Sequence, residues 1–170
     1  MVLYEHINCF NEYDPKRSYP ISNWPEKNKP NGGLWGSRVD SSSGWENYMK
    51  QADEELLKIH PYPEGFVPPE FTKFYFKLRD NANLYIVKNL EDFKKLPKSI
   101  DEEGKEYIDY VKCLEQGIDA VELCSIGDEF EEYLKSMSDE DLDKFDEEFC
   151  SHWQCDSIVV LNPDAYEIIS

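Results

Sequence analysis

The sequence predicts an α+β fold, a mixed β-sheet core with flanking helices and an acidic helical segment, on three observations. Short β-rich apolar runs recur at 2–7, 73–78, 83–87, 119–123 and 155–162, most of them bounded by Gly, Pro, Asn or Asp. Between them, apolar residues fall at helical spacing over 44–58 and 101–113. Residues 126–150 carry eleven Asp or Glu against two Lys, a net of −9. Through them runs an apolar stripe of Phe130, Tyr133, Leu134, Met137, Leu142, Phe145 and Phe149, as in a helix with one wet face.

Taken in order, Val2 to Ile7 alternates, with Val2, Tyr4 and His6 on one face and Leu3, Glu5 and Ile7 on the other. Residues 13–31 hold Pro15, Pro20, Pro25 and Pro30, which predicts an ordered loop without helix or central strand, carrying Trp24 as an exposed anchor. Gly32 and Gly33 lack a Cβ, so the backbone there can take φ > 0 or approach a flat ligand closely. Leu34, Trp35 and Ser37 read as a short strand. Asp40 to Ser43 then offer caps to a helix with Trp45, Tyr48 and Met49 at helical spacing. A second irregular connection, rich in Pro over 60–69, includes Tyr62 and Phe66.

Lys73–Leu78 and Asn83–Val87 are separated by four residues, a spacing that fits a hairpin or a tight corner and predicts that the two strands are neighbours. Asn89 or Glu91 caps a short helix through Leu96 that stops at Pro97. Asp101 to Cys113 starts a longer one, with Tyr107, Ile108, Val111 and Leu114 on one face and Gly117 at its end. Asp119–Leu123 is a strand. Cys155–Asp164 reads as a buried strand closed by an Asn-Pro turn, and Tyr166–Ile169 as a last edge strand.

A chain of 170 residues predicts a single domain, 1–170, that buries a core without metal or disulfide staples. Hydrophobic residues at 40% and aromatics at 14% argue for folding despite a net charge of −18. With eighteen basic residues against 36 acidic ones and no basic patch, no direct nucleic-acid binding is expected. No apolar run reaches the roughly 18 residues of a membrane span, and the first residues lack a basic-then-apolar pattern, so a cytoplasmic location is expected. The five cysteines are odd in number and scattered, as free thiols in a reducing compartment are. Cys150, His152 and Cys155 have no second Cys/His cluster to complete a tetrahedral site, so no metal is expected. The nucleophile elbow and the phosphate-binding glycine loops are absent from the sequence.

Three separated pieces remain: Leu3-Tyr-Glu-His6; Gly32-Gly-Leu-Trp-Gly-Ser37 with Ser41-Ser-Ser-Gly-Trp-Glu-Asn-Tyr48; and Asp156-Ser-Ile-Val-Val-Leu-Asn-Pro163. Together they resemble ADP-ribosyltransferases of the poly(ADP-ribose)-polymerase-like branch. The resemblance implies an ADP-ribosyltransferase-like split mixed sheet and NAD as substrate. It implies that His6 holds the adenosine ribose, that the Gly33 backbone pairs with the nicotinamide amide, and that Trp35 stacks on nicotinamide. Ser37 and Ser41 belong to the serine-bearing helix entry, and Tyr48 gives a second aromatic. Counting back from Asn162-Pro163, the family's catalytic glutamate falls on Ser157, with Asp156 the nearest carboxylate.

Cleaving the bond between ribose and nicotinamide passes through an oxocarbenium-like transition state, which a nearby carboxylate stabilises. The resemblance thus implies a small NAD-dependent mono-ADP-ribosyltransferase acting on a macromolecular target, with a protein as the expected partner, of the kind found in phages and other mobile elements. Two other readings are open on the sequence. One is a non-catalytic acidic protein that binds a basic or DNA-binding partner through the 128–149 surface, imitating the charge of nucleic acid. The other is a degenerate domain that binds NAD or ADP-ribose without turnover.

Overall fold

In a computed structural model the chain is described over residues 2–8, 13–27, 29–59, 72–124, 133, 135–145, 153 and 155–169. Tyr62, Phe66, Cys150, His152 and most of the acidic segment lie outside the described residues. The chain runs β1 (Tyr4–Asn8), α1 (Pro15–Ser18), β2 (Ser22–Trp24), β3 (Lys29–Asn31), β4 (Leu34–Arg38), α2 (Trp45–Ile59), β5 (Thr72–Leu78), β6 (Leu84–Val87) and α3 (Leu90–Lys94). It continues with β7 (Lys98–Ile100), β8 (Glu106–Ile108), α4 (Tyr110–Glu115), β9 (Ala120–Leu123), α5 (Asp139–Phe145), β10 (Ser157–Val160) and β11 (Tyr166–Ile169). Among the described residues no helix is long and apolar enough to cross a membrane.

Seven strands form one mixed sheet in the order β11–β5–β1–β4–β10–β9–β6. Every neighbouring pair is antiparallel except β6 and β9. β4 is the shared member. Its C-terminal end pairs with β1, Tyr4 opposite Arg38 and Glu5 opposite Ser37. Its first three residues pair with β10, Leu34 opposite Val160, Trp35 opposite Val159 and Gly36 opposite Ile158. At the change of partner a Cβ on Gly36 would lie 2.7 Å from both the Glu5 carbonyl oxygen and the Phe76 ring, so only glycine fits.

Alternation along these strands divides the core between two faces. On one, Val87, Val121, Leu123 and Val159 pack with Phe93 of α3, Ile108, and Tyr110 and Cys113 of α4. On the other, Tyr4, Leu34, Phe76, Ile158, Val160 and Ala165 pack together. The helix over 44–58, the short helix after Asn89 and the strands at 119–123, 155–162 and 166–169 form as predicted, with β11 at the sheet's edge.

Three expectations are corrected. β5 and β6 do not pair: four strands stand between them. Asn83 is the reason, since its N–H donates to the Asp119 carboxylate at 2.8 Å and its carbonyl accepts from Asp119 N–H at 2.9 Å, which starts β6 alongside β9. The helix expected from Asp101 begins only after Asp109. Gly104 takes φ 84° and the Asp101 carboxylate accepts from the N–H groups of Glu103 and Lys105, closing a β7–β8 hairpin. Asp109 then caps α4 through Lys112 N–H. The proline-rich stretch 13–31 is not pure loop either. Asp14 caps α1 ahead of Pro15, and β2 and β3 form a separate two-stranded ladder whose free edges tolerate Pro30.

Candidate functional site

Directly paired strand residues point to the same face, so Glu5 and Ser37 share one face with Trp35 and Val159, and alternation adds Ser157. Segment 41–44 is laced between β4 and the start of β10. Trp45 N–H donates to Ser37 Oγ at 3.1 Å, and Ser43 N–H to Ser41 Oγ at 3.1 Å. Ser41 Oγ donates to Asp156 Oδ2 at 3.0 Å, while Asp156 N–H donates to the Ser43 carbonyl at 2.9 Å. Gly44 forms a bridge with Asp156, and a Cβ there would come within 3.0 Å of Ser37 Oγ. Five polar side chains, Glu5, Ser37, Ser41, Asp156 and Ser157, are thus gathered under the entry to α2, none more than 7% exposed. Asp156 precedes the regular ladder, and its bond to Ser41 draws it to this entry.

Burial sets the electrostatics of this cluster. It pushes the Glu5 carboxyl above its ordinary value, and Lys73 Nζ, 3.7 Å away, works in the opposite direction. Lys73 also bonds Glu46 of α2 at 2.7 Å, and Glu46 bonds Lys50 at 2.9 Å, so an alternating chain of charges ties α2 to β5 and β1. Cys155 is unsuited to nucleophilic work. Burial, reinforced by the Asp156 charge and opposed by Lys29, pushes its thiol up to about 12.

The residues expected from sequence divide between the two faces. Trp35 lies on the face of the polar cluster, its ring 5.3 Å from that of Trp153 and 5.7 Å from Lys29 Nζ, with its indole N–H donating to the Gly32 carbonyl. Tyr48 stands one turn into α2, edge-on to Trp45. His6 does not join them. Alternation puts it on the opposite face, where its ring packs with Tyr13 and Phe74 at 5.5 and 4.9 Å. Its Nδ1–H donates to the Trp35 carbonyl at 2.6 Å. Burial lowers the imidazole pKa, against the effect of that bond.

Gly33 has the expected positive φ, 76°, but the close approach is made by the protein itself. Its N–H donates to the Ser18 carbonyl at 2.6 Å. A Cβ would meet Val159 Cγ2 at 2.8 Å and the Val160 carbonyl at 2.9 Å. The Gly33 amide is therefore engaged and does not fit the nicotinamide-pairing role, whereas Trp35, Ser37, Ser41, Tyr48, Asp156 and Ser157 lie on or beside one face.

Two features escaped the sequence reading. Glu5 is one, although its alternation opposite His6 already separated the two side chains. The second is a buried ion pair on the far face: Arg38 donates from Nε and Nη2 to the two Glu122 oxygens, both at 2.7 Å. Tyr4, fully buried beside them, has its phenol pKa raised by burial and by the Glu122 charge. A lone Arg and a lone Glu 84 positions apart carry no local signal of pairing. Among the described residues no three His, Cys, Asp or Glu side chains are grouped to hold a metal ion.

No family model matches this chain, and no curated protein or solved structure matches it.

Proposed function

We propose that this chain is an ADP-ribosyltransferase-like domain that takes NAD and transfers a single ADP-ribose to a macromolecular target. One observation carries the reading. The three segments that bear the resemblance, distant in sequence, contribute the consecutive strands β1, β4 and β10, and Glu5, Ser37, Ser41, Asp156 and Ser157 from them meet under the entry to α2, with His6 on the other face. In this reading Trp35 offers its ring to nicotinamide. Asp156 faces the positive charge that develops on the ribose, where a carboxylate in a dry setting acts most strongly. Ser41 fixes Asp156 by its hydrogen bond, and Ser37 holds the start of α2 in place.

The test is release of nicotinamide from NAD by purified protein, followed with radiolabelled NAD for transfer to protein in lysate. Asp156→Asn should lower the rate by a factor of about 100 or more, as misplacing or neutralising a transition-state group does, while Asp164→Asn, on an exposed turn, should leave it unchanged. A wild-type protein that neither consumes NAD nor binds it ends this reading.

A second reading has its own observation, the concentration of half the net charge in residues 126–150. Asp139, Glu140 and Asp141 stand exposed on the first turn of α5. A non-catalytic protein of this charge would capture a basic, DNA-binding partner and lose it steeply between 0.1 and 1 M salt. Retention of the partner at 1 M salt counts against it.

A further inference from the structure

We infer that Glu5 is the general base that accepts the proton of the acceptor hydroxyl as that oxygen attacks the ribose of NAD. The inference rests on the NAD reading above and assigns a residue that the resemblance does not supply. In the step, the acceptor oxygen forms a bond to ribose C1′ while the C1′–N bond breaks. The electron pair of that bond leaves with neutral nicotinamide, and the hydroxyl proton passes to the Glu5 carboxylate. Charge and atoms balance without a co-reactant.

Position is the first argument. Glu5 and Asp156 flank β4 from its two sides, one on β1 and the other at the start of β10. Two strand spacings amount to about 10 Å. Between backbones that leaves the width of a sugar ring over β4, with one carboxylate on each side of it, the arrangement in which one stabilises the sugar cation and the other deprotonates the incoming oxygen. Glu5 faces the side on which Ser37 and Trp35 lie, whereas His6 points away from it.

The surroundings are the second argument. Among the described residues the charges that act on Glu5 come from β5 and α2: Lys73 at 3.7 Å, with Glu46 and Lys50 behind it. At 6% exposure the carboxyl is dry, and burial outweighs Lys73, so its pKa stands above the ordinary glutamate value. A carboxylate moved toward neutral pH is a better proton acceptor than an exposed one. A purely structural ion pair predicts the same contacts, so the test has to separate the two roles.

Nicotinamide release is measured for wild type, Glu5→Gln, Glu5→Ala and Lys73→Met across pH 4.5–8.5, with NAD binding followed by tryptophan fluorescence. Glu5→Gln should lower kcat by about 100-fold or more with KM within about twofold, and should abolish the acid limb of the wild-type profile. Lys73→Met breaks the same ion pair, so it should keep most of kcat and move that limb to higher pH, since Lys73 holds the Glu5 pKa down. Azide, which needs no deprotonation, should restore turnover to Glu5→Ala. Equal losses in Glu5→Gln and Lys73→Met, or an acid limb unchanged in Glu5→Gln, would overturn the inference while leaving NAD turnover intact. A wild-type protein inert toward NAD would overturn the underlying reading as well.

Discussion

The two faces of the sheet's centre are built by the same three strands and do opposite things. Under α2, β1, β4 and β10 present Glu5, Ser37 and Ser157 beside the apolar Trp35 and Val159, and the neighbouring segment adds Ser41 and Asp156. On the other side, the alternate residues of the same strands are Tyr4, His6, Leu34, Gly36, Ile158 and Val160, packed against Phe74, Phe76 and Tyr166. A strand cannot be apolar on one side and polar on the other without strict register, because a slip of one residue exchanges the faces completely. Gly36 marks the place where β4 changes partner, and its missing side chain lets Phe76 and the β1 backbone close in on the apolar side. The difference teaches that the polar face is specified by what holds the apolar one.

The Arg38–Glu122 pair on the apolar face provides the largest test of that view. Glu122 is 2% exposed and has both oxygens bound by Arg38. Arg38→Met leaves a buried carboxylate without its cation and should cost about 3–5 kcal/mol in urea unfolding. If the cost were under about 1 kcal/mol, the pair would be a solvated ornament and the contrast between faces would fail at this end of β4. Replacing both partners by apolar residues should recover much of the loss, since the desolvation of two charges is removed together.

Gly33→Ala comes next. It forces a side chain into φ 76°, at about 1–2 kcal/mol, and into contact with Val159 and the Val160 carbonyl, at about 1–3 kcal/mol. The expected sum is about 2–5 kcal/mol by the same measurement. A neutral substitution would mean that the space beside Val159 is open, and the ligand-facing role expected from sequence would regain support. Ser37→Ala is smaller. It removes the acceptor for Trp45 N–H, at about 1 kcal/mol, and should loosen the entry to α2, raising hydrogen exchange at Trp45 more than at Val159. Equal exchange changes at both sites would show that Ser37 acts through the sheet and not through α2.

Much of this was legible in the sequence, and what was not shares a cause. The α2 helix, β9, β10 and the edge strand β11 follow from patterns that are local and several residues long. Positive φ at Gly32 and Gly33 was equally readable. The identity of whatever fills the space beside Gly33 was not, because Ser18 and Val160 reach it from other elements. β5 and β6 looked like neighbours since only nearby residues could be weighed. The bonds between Asn83 and Asp119 that part them span 36 positions. For β1, alternation correctly separated Glu5 from His6 but could not say which of the two would face Ser37. That choice belongs to the register between β1 and β4, which no local pattern carries.

His6 supplies the smallest effect and the most selective one. Its Nδ1–H is held by the Trp35 carbonyl while Tyr13 and Phe74 surround the ring. Burial makes the charged form unfavourable, so the folded-state pKa lies below the unfolded value of about 6.5. As pH falls, the unfolded chain takes up its proton first. Stability from this group is therefore complete above about pH 7, declines as pH drops through 6.5, and levels off once the folded-state pKa is passed. His6→Gln keeps an amide donor for the Trp35 carbonyl and removes the titration. The urea midpoint of the variant, measured between pH 7.5 and 5.5, should fall less on acidification than that of the wild type. Glu5 has the opposite sign, its raised pKa favouring the folded state as pH falls, but it is common to both proteins and cancels in the difference. Identical slopes in the two proteins would place His6 in a wet setting, with Tyr13 and Phe74 failing to shield its ring from water.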